Sequence, residues 1–417
     1  MNSRTVKTAR RERVRIDLPP SKSYTARALI AASLACGDST IRNASRALDT
    51  KLLIDALRQF GVGISADGDS LTVRGTGGQF ERADRILYLG NAGTALRFMA
   101  SFASIAPGTT ILEGDTGMNA RPMADLVDAL EQTGVRVSSN GGRTPLRIEG
   151  GTFRGGKVSL NAGKSSQFLS SLLLCAPYTG SGLDIGLINP ASSLPYIGMT
   201  LRVMAAFGVS VRPCDSRYKT GKSLYTPADF TVEPDVSGST FFASAAAITG
   251  STVEMPGVSD KSLQGDLVFY THIEKMGCRV VFRDGSVEVS RSSPLGGIEA
   301  DLNQAPDSVP PLAVTAAFAE GPSVISNIGH LAYKETDRLS ALASELPKIG
   351  TAVARHGDGL RITPGRPVPA VIDTYNDHRI AMSFAVAGLK IDGMKITNPG
   401  CVGKSFPGFW NELEKFI

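Results

Sequence analysis

Lys22, Ser23, Tyr24, Thr25 and Arg27 fall within the six residues "KSYTAR" (22–27), directly ahead of the apolar run "ALIAASLACG". Two cations and several hydroxyls in so short a span can hold an anion, above all a phosphate, by charge-assisted hydrogen bonds. Related clusters precede five more apolar runs. "NAGTALR" (91–97) supplies Arg97, "KSSQF" (164–168) supplies Lys164 and two serines, and "YNDHR" (375–379) supplies Arg379. "DVSGS" (235–239) and "APDS" (305–308) supply acids and hydroxyls instead. Small Ser, Asn and Asp residues are ordinary helix N-caps, and capping explains most of them. It does not explain Lys22, Arg27, Arg97 or Arg379, because cations at a helix N-terminus oppose the macrodipole unless an anion lies between. Asp307 in "APDS" and the "KETDR" segment (Lys334, Glu335, Asp337, Arg338) add charge of both signs. A carboxylate among cations can take a proton, and a second can shuttle one. The same residues fit a solvated helix face, although Lys334 and Arg338 are like-charged at i,i+4. The residues alone leave both readings open.

The elements that must position these residues repeat. A helix-like segment ending in glycine, followed by a β-branched run, recurs with its glycine at Gly61, Gly134, Gly208, Gly277 and Gly350. A glycine-initiated strand recurs in phase at Gly37, Gly108, Gly182, Gly250, Gly321 and Gly393. Two markers sharing a period of roughly 70 residues predict six copies of one unit, read from the residues as strand, helix, strand, helix, strand. The polar clusters stand before the first helix of each copy. Those helices are apolar all round and are expected to be buried. Six copies divide naturally into two groups of three, with boundaries near "LPPSK" and "VEPDVSGS", where Pro, Gly and Ser interrupt the periodic segments.

Bulk properties exclude several classes. A chain of 417 residues exceeds what one core usually serves, and none of its apolar stretches reaches the ~20 residues needed to span a bilayer. The first fifteen residues carry six Lys/Arg and no apolar core, so they are read as a frayed terminus or a solvated strand rather than a secretory signal or a nucleic-acid arm. Five scattered cysteines without a CxxC, and four separated histidines, favour neither a disulfide framework nor a metal site and suit the cytoplasm. Aromatics make up only 6% of the chain and no basic run is interleaved with them, which argues against single-strand nucleic-acid binding.

"SKSYTAR", "GNAGTALR", "ARPM", "SSQFL", "SLPYI", "VEPDVSGS", "QGD" (264–266), "APDS", "KETDR", "YNDHRIAM" and "GKSFPGF" (403–409) occur in the order of a known family. On these motifs the chain resembles the 3-phosphoshikimate 1-carboxyvinyltransferases, also called 5-enolpyruvylshikimate-3-phosphate synthases. The resemblance implies a two-domain inside-out α/β (α+β) barrel built from six βαβαββ repeats. Residues 1–19 and 234–417 would form one domain and 20–233 the other, with the active site in the cleft between them. It implies transfer of the enolpyruvyl group of phosphoenolpyruvate to the 5-hydroxyl of shikimate 3-phosphate, releasing phosphate, in the shikimate pathway of aromatic amino-acid biosynthesis. Its catalytic residues would be Lys22, Asp307 and Glu335. Ser23, Arg27, Ser165, Ser166, Gln167, Ser193, Tyr196, Asp307 and Lys334 would bind shikimate 3-phosphate. Lys22, Gly93, Arg121, Gln167, Arg338, Arg379 and Lys404 would bind phosphoenolpyruvate. No metal or organic cofactor is implied, and the partners expected are the two small substrates, with no nucleic acid, no membrane and a monomeric chain.

The chain departs from the family's usual form at Pro20, Phe98, His330 and Ala332, where glycine, proline, asparagine and arginine are common. None of these removes a charged residue assigned to chemistry. The runner-up is the sister family of UDP-N-acetylglucosamine 1-carboxyvinyltransferases, which usually carries a reactive cysteine in the loop before "ARP"; "EGDTGMNARP" (113–122) has none. An RNA-end-processing protein of the same fold is a more remote alternative.

Overall fold

The computed structural model describes residues 2–417. The chain forms two compact units, one comprising the chain up to Pro19 with Glu233–Ile417, the other Pro20–Val232. One piece of structure recurs in both. In the copy spanning residues 85–150, strand Arg85–Tyr88 leads into helix Gly93–Ile105, and strand Gly108–Glu113 returns parallel to the first. Helix Ala124–Glu131 follows, and strands Arg136–Ser139 and Leu146–Gly150 form a hairpin whose second strand lies antiparallel to Gly108–Glu113. The sheet order is thus first, second, fourth, third. Among the described residues five sheets have this four-stranded order. The residue pattern counts a single strand after the second helix. The structure has two, because "RVSSNGGRTPLRIEG" is parted by a turn at Gly141 and Gly142, both at positive φ. The arrangement is the βαβαββ unit that the resemblance implies.

Three sheets are completed by strands from distant parts of the chain. Asp229–Thr231 runs parallel to Cys36–Arg42, and Arg13–Arg15 runs parallel to Thr252–Pro256. The sixth sheet has three strands: Val371–Ile372, Lys395–Thr397 and, antiparallel to the latter, Ser3–Thr5. The basic N-terminal segment is therefore not frayed. Three of its cations are paired at the surface, Arg13 2.8 Å from Glu288, Arg15 3.2 Å from Glu254, and Arg4 with Glu414. Each such exposed pair contributes under about 1 kcal/mol, so strand pairing rather than charge holds the segment.

The first helix of each repeat is buried nearly all round, and the three in each unit pack on one another. These are Lys22–Leu34, Gly93–Ile105 and Ser166–Cys175 in one unit, and Val236–Thr249, Val309–Ala316 and His378–Gly388 in the other. Alanines and serines let them approach closely, and the buried hydroxyls bond across the contact, Ser101 to Ser171 at 2.6 Å and Thr315 to Ser244 at 2.9 Å. The last strand presses against the end of this helix. A Cβ on Gly75 would lie 2.2–2.3 Å from the Ala35 and Ala32 carbonyl oxygens, and one on Gly150 would lie 2.0–2.3 Å from those of Ala106 and Ala103. Only glycine fits at these two equivalent positions.

Candidate active site

In the unit Pro20–Val232 the first turns of the buried helices are tied together by side chains. Ser21 caps Lys22–Leu34 by accepting from the Tyr24 N–H, and Ser165 caps Ser166–Cys175 by accepting from the Gln167 N–H. Arg97, the fifth residue of its helix, donates to Gln167 Oε1 at 2.6 Å and to Ser165 Oγ at 3.3 Å, while Gln167 Nε2 donates to Thr94 at 3.0 Å. Lys22 is paired with Asp49 at 2.9 Å, both largely buried. Gly93 brings its backbone against Arg121, whose Nη1 would lie 2.5 Å from an added Cβ. Arg27 is 1% exposed and aims four N–H bonds at protein: Thr200 Oγ1 (2.8 Å), Ser170 Oγ (3.4 Å) and the carbonyls of Ser23 (2.8 Å) and Tyr196 (3.1 Å). Its guanidinium also lies 5.4 Å from the ring centre of Phe98, so the phenylalanine that departs from the family pattern packs on this cation. Burial pulls the Arg27 guanidinium down to about 10. Ser23 and Tyr196 are thereby held by Arg27, and Ser193 stands nearby in the chain with φ +57°, an uncommon conformation for serine.

In the other unit the charged residues form one network. Arg338, 1% exposed, reaches Asp377 (2.8 Å), Asp307 (2.9 Å) and Glu335 (2.7 Å). Arg379 reaches the second oxygen of Asp307 at 2.7 Å, and Lys404 lies 3.8 Å from Glu335. Burial pushes the Asp307 carboxyl up, but Arg379, Arg338 and Lys334 outweigh it and hold the group well below the usual carboxylate range. Burial alone would pull the Arg338 guanidinium down; Asp377, Glu335 and Asp307 reverse this and fix its charge. Arg379 sits in the first turn of its helix despite the macrodipole because Asp377 caps that helix, accepting from the Arg379 N–H at 2.8 Å, and Asp307 meets the guanidinium.

The turn before that helix is strained. Tyr375 and Asn376 have φ +51° and +55°. Glu345, fully buried, holds the turn by accepting from the Tyr375 hydroxyl at 2.7 Å and the Asp373 N–H at 3.0 Å, with Lys348 2.7 Å from both its oxygens. Asn398, also at positive φ, bonds Asn376 at 2.9 Å and opens the 3-10 helix that carries Lys404.

His330 is 8% exposed, and burial with Lys334 nearby pulls its imidazole down to about 3. It is neutral at working pH. Because the unfolded chain binds that proton near pH 6.5 and the folded chain does not, His330 costs stability as pH falls. His330→Gln should therefore recover on the order of 1–2 kcal/mol at about pH 5 relative to its effect at about pH 7. Urea unfolding at both pH values checks this; an equal effect at each would contradict the buried neutral state.

The EPSP synthase (3-phosphoshikimate 1-carboxyvinyltransferase) family matches residues 6–413. The chain belongs to the EPSP synthase family. It is 38% identical over 409 residues to the 3-phosphoshikimate 1-carboxyvinyltransferase of Trichormus variabilis, covering 96% of each chain. It is 41% identical over 401 residues to that of Methanosphaerula palustris, covering 95% of each. An EPSP synthase structure from Acinetobacter baumannii aligns with a TM-score of 0.81 at 25% identity, over 99% of this chain and 98% of that one.

Several residues beside those expected of an EPSP synthase emerge only from the structure. Asp49 pairs with Lys22, Thr200 with Arg27, Asp377 with Arg338, and Glu345 anchors the Tyr375 turn. Asp377 was within reach of sequence reasoning, since an Asp two residues before Arg379 is an N-cap signal. Asp49 and Glu345 were not, because nothing local distinguishes them from helix-surface acids. No group of three or more His, Cys, Asp or Glu able to hold a metal is found among the described residues, and no described helix is long and apolar enough to cross a membrane.

Proposed function

We propose that the chain transfers the enolpyruvyl group of phosphoenolpyruvate to the 5-hydroxyl of shikimate 3-phosphate, with Asp307 as the base. The observation that carries this reading is the buried network of Asp307, Glu335, Arg338, Arg379 and Lys404 in a member of the EPSP synthase family. Two phosphates and two carboxylates enter the reaction, and guanidinium forks suit both groups.

On this reading Ser23, Ser165, Ser166, Ser193, Tyr196 and Lys334 hold shikimate 3-phosphate, and Gln167 lies between the substrates. Arg27 has at most one N–H left for substrate after its four bonds to protein, and acts chiefly by holding Ser23 and Tyr196. Lys22, Gly93, Arg121, Arg338, Arg379 and Lys404 hold phosphoenolpyruvate.

Asp307 bound by two guanidiniums is a poor base. The carboxylate of phosphoenolpyruvate competes for the same guanidiniums, and each N–H it takes from Asp307 makes Asp307 more basic. Donor binding thus prepares the acceptor's base. Asp307 then takes the 5-hydroxyl proton as Glu335 or Lys22 protonates the methylene carbon, and the oxygen adds to C2 to give a tetrahedral intermediate. Loss of phosphate, with return of a methyl proton to the protein, forms the enol ether. The cations stabilise the departing phosphate, an effect of about 3–4 kcal/mol per well-placed donor. Because a methyl group forms and is broken, turnover in D2O should place deuterium in the vinyl group. Product with no deuterium after full turnover would exclude this addition–elimination path.

Gly93→Ala should raise the KM for phosphoenolpyruvate about tenfold or more with a smaller change for shikimate 3-phosphate, because the new Cβ would meet Arg121 Nη1 at 2.5 Å. Steady-state kinetics with each substrate varied checks this. The chain acts as a monomer on small molecules without nucleic acid, in the cytoplasm, where its five free cysteines stay as thiols.

A further inference from the structure

Asp266 lies in a 3-10 turn, Gly265–Leu267, and is 1% exposed, yet the reaction above makes no use of it. One of its oxygens accepts from the Ser308 hydroxyl at 2.6 Å, and the other accepts from the Ser237 hydroxyl. Ser308 follows Asp307 in the Pro306–Ser308 turn and is fully buried. Ser237 stands in the first turn of Val236–Thr249, capped by Asp235. Gln264, two residues before Asp266, accepts from the Val236 N–H at 3.1 Å and donates to the Pro234 carbonyl at 2.8 Å. Asp266 is thus fixed to one helix start and grips the turn that presents Asp307. Two hydroxyls converge on it with no counter-cation bonded directly, which is a costly arrangement for a buried acid unless it has a use.

We infer that Asp266 is a positioning residue for Asp307, acting through the Ser308 hydroxyl. A carboxylate has acceptors only, so both serines must donate to it, and the turn is held in one arrangement. Asp307 then meets the substrate oxygen with its angle set from behind, while Arg338 and Arg379 set its front. The negative charge of Asp266 also works against the cations around Asp307 and leaves it a better proton acceptor. In accord with this, burial and the neighbouring Asp307 push the Asp266 carboxyl up, with Arg379 opposing.

The inference rests on Asp307 being the base, and the test separates the two. Ser308→Ala should lower kcat about tenfold, and Asp266→Ala about thirtyfold, with KM for both substrates moving less than about threefold, since binding groups are untouched. The double variant should be no slower than Asp266→Ala, because both substitutions break one linkage. Steady-state kinetics on the three variants and on Asp307→Ala decides. Independent, multiplying losses, or kcat for Ser308→Ala within about twofold of the parent, would overturn the inference even if Asp307→Ala is inactive. A fully active Asp307→Ala would overturn the reading beneath it. Should Asp266→Ala fail to fold, Ser308→Ala alone settles the point by its kcat-against-KM split.

Discussion

Asp307→Ala is expected to lower turnover about 10³-fold while the chain keeps its fold. The loss follows from removing a carboxylate bridged by the Arg338 and Arg379 guanidiniums, and with it the acceptor for the 5-hydroxyl proton. The fold survives because Arg338 retains Glu335 and Asp377, and the Asp307 side chain is 19% exposed, so no large cavity opens. Some stability should go. A carboxyl held below its ordinary range stabilises the native state at pH values above about 4 and ceases to do so as pH falls through its folded value, so Asp307→Ala should be less stable than the parent near neutrality. Single-turnover phosphate release, with far-ultraviolet circular dichroism as the check on folding, measures both parts. A rate within tenfold of the parent would remove Asp307 from the chemistry.

Arg338→Ala should be the most destabilising substitution in the network, costing about 3–5 kcal/mol. It strips the shared cation from Asp307, Glu335 and Asp377, of which Asp377 is fully buried. Arg379 and Lys404 remain, but the Arg379 guanidinium is directed at Asp307 and Lys404 lies 3.8 Å from Glu335, so Asp377, bonded to the Arg379 backbone N–H, loses the guanidinium that Arg338 gave it. Arg338→Lys should recover little, because a single ammonium on a flexible stem cannot present a planar fork to three carboxylates. Urea unfolding gives the number. A loss below about 1 kcal/mol would mean that the ion network contributes nothing net to the fold, as exposed pairs often do.

These two expectations show what local pattern in the chain can and cannot reveal. The apolar first helices, the glycines that close the second helices and the cations before "ALIAASLACG" and "IAMSFAVAG" are all local signals, and the structure has them as read. The hairpin after a second helix escaped the residue pattern because its strands are short, Arg136–Ser139 and Leu146–Gly150 in one copy, and hold too few positions for a clear alternation. The role of the N-terminal segment escaped for a different reason. Ser3 pairs with Thr397 and Arg13 with Thr252, and pairing across hundreds of residues leaves no periodic trace. The candidate site divides in the same way. Lys22, Arg27, Arg97 and Arg379 stand out because cations at helix starts conflict with the macrodipole. Their partners Asp49 and Asp307 come from other helices and turns, and which acid meets which cation is decided by packing.

The choice of acceptor separates this reaction from that of the sister family. It is tested most directly by following phosphate release from phosphoenolpyruvate by the purified chain, with shikimate 3-phosphate and with UDP-N-acetylglucosamine in parallel. Release that requires shikimate 3-phosphate, matches formation of its enol ether one for one, and is absent with the nucleotide sugar is the result expected. Release only with the nucleotide sugar, or none with shikimate 3-phosphate, would contradict it.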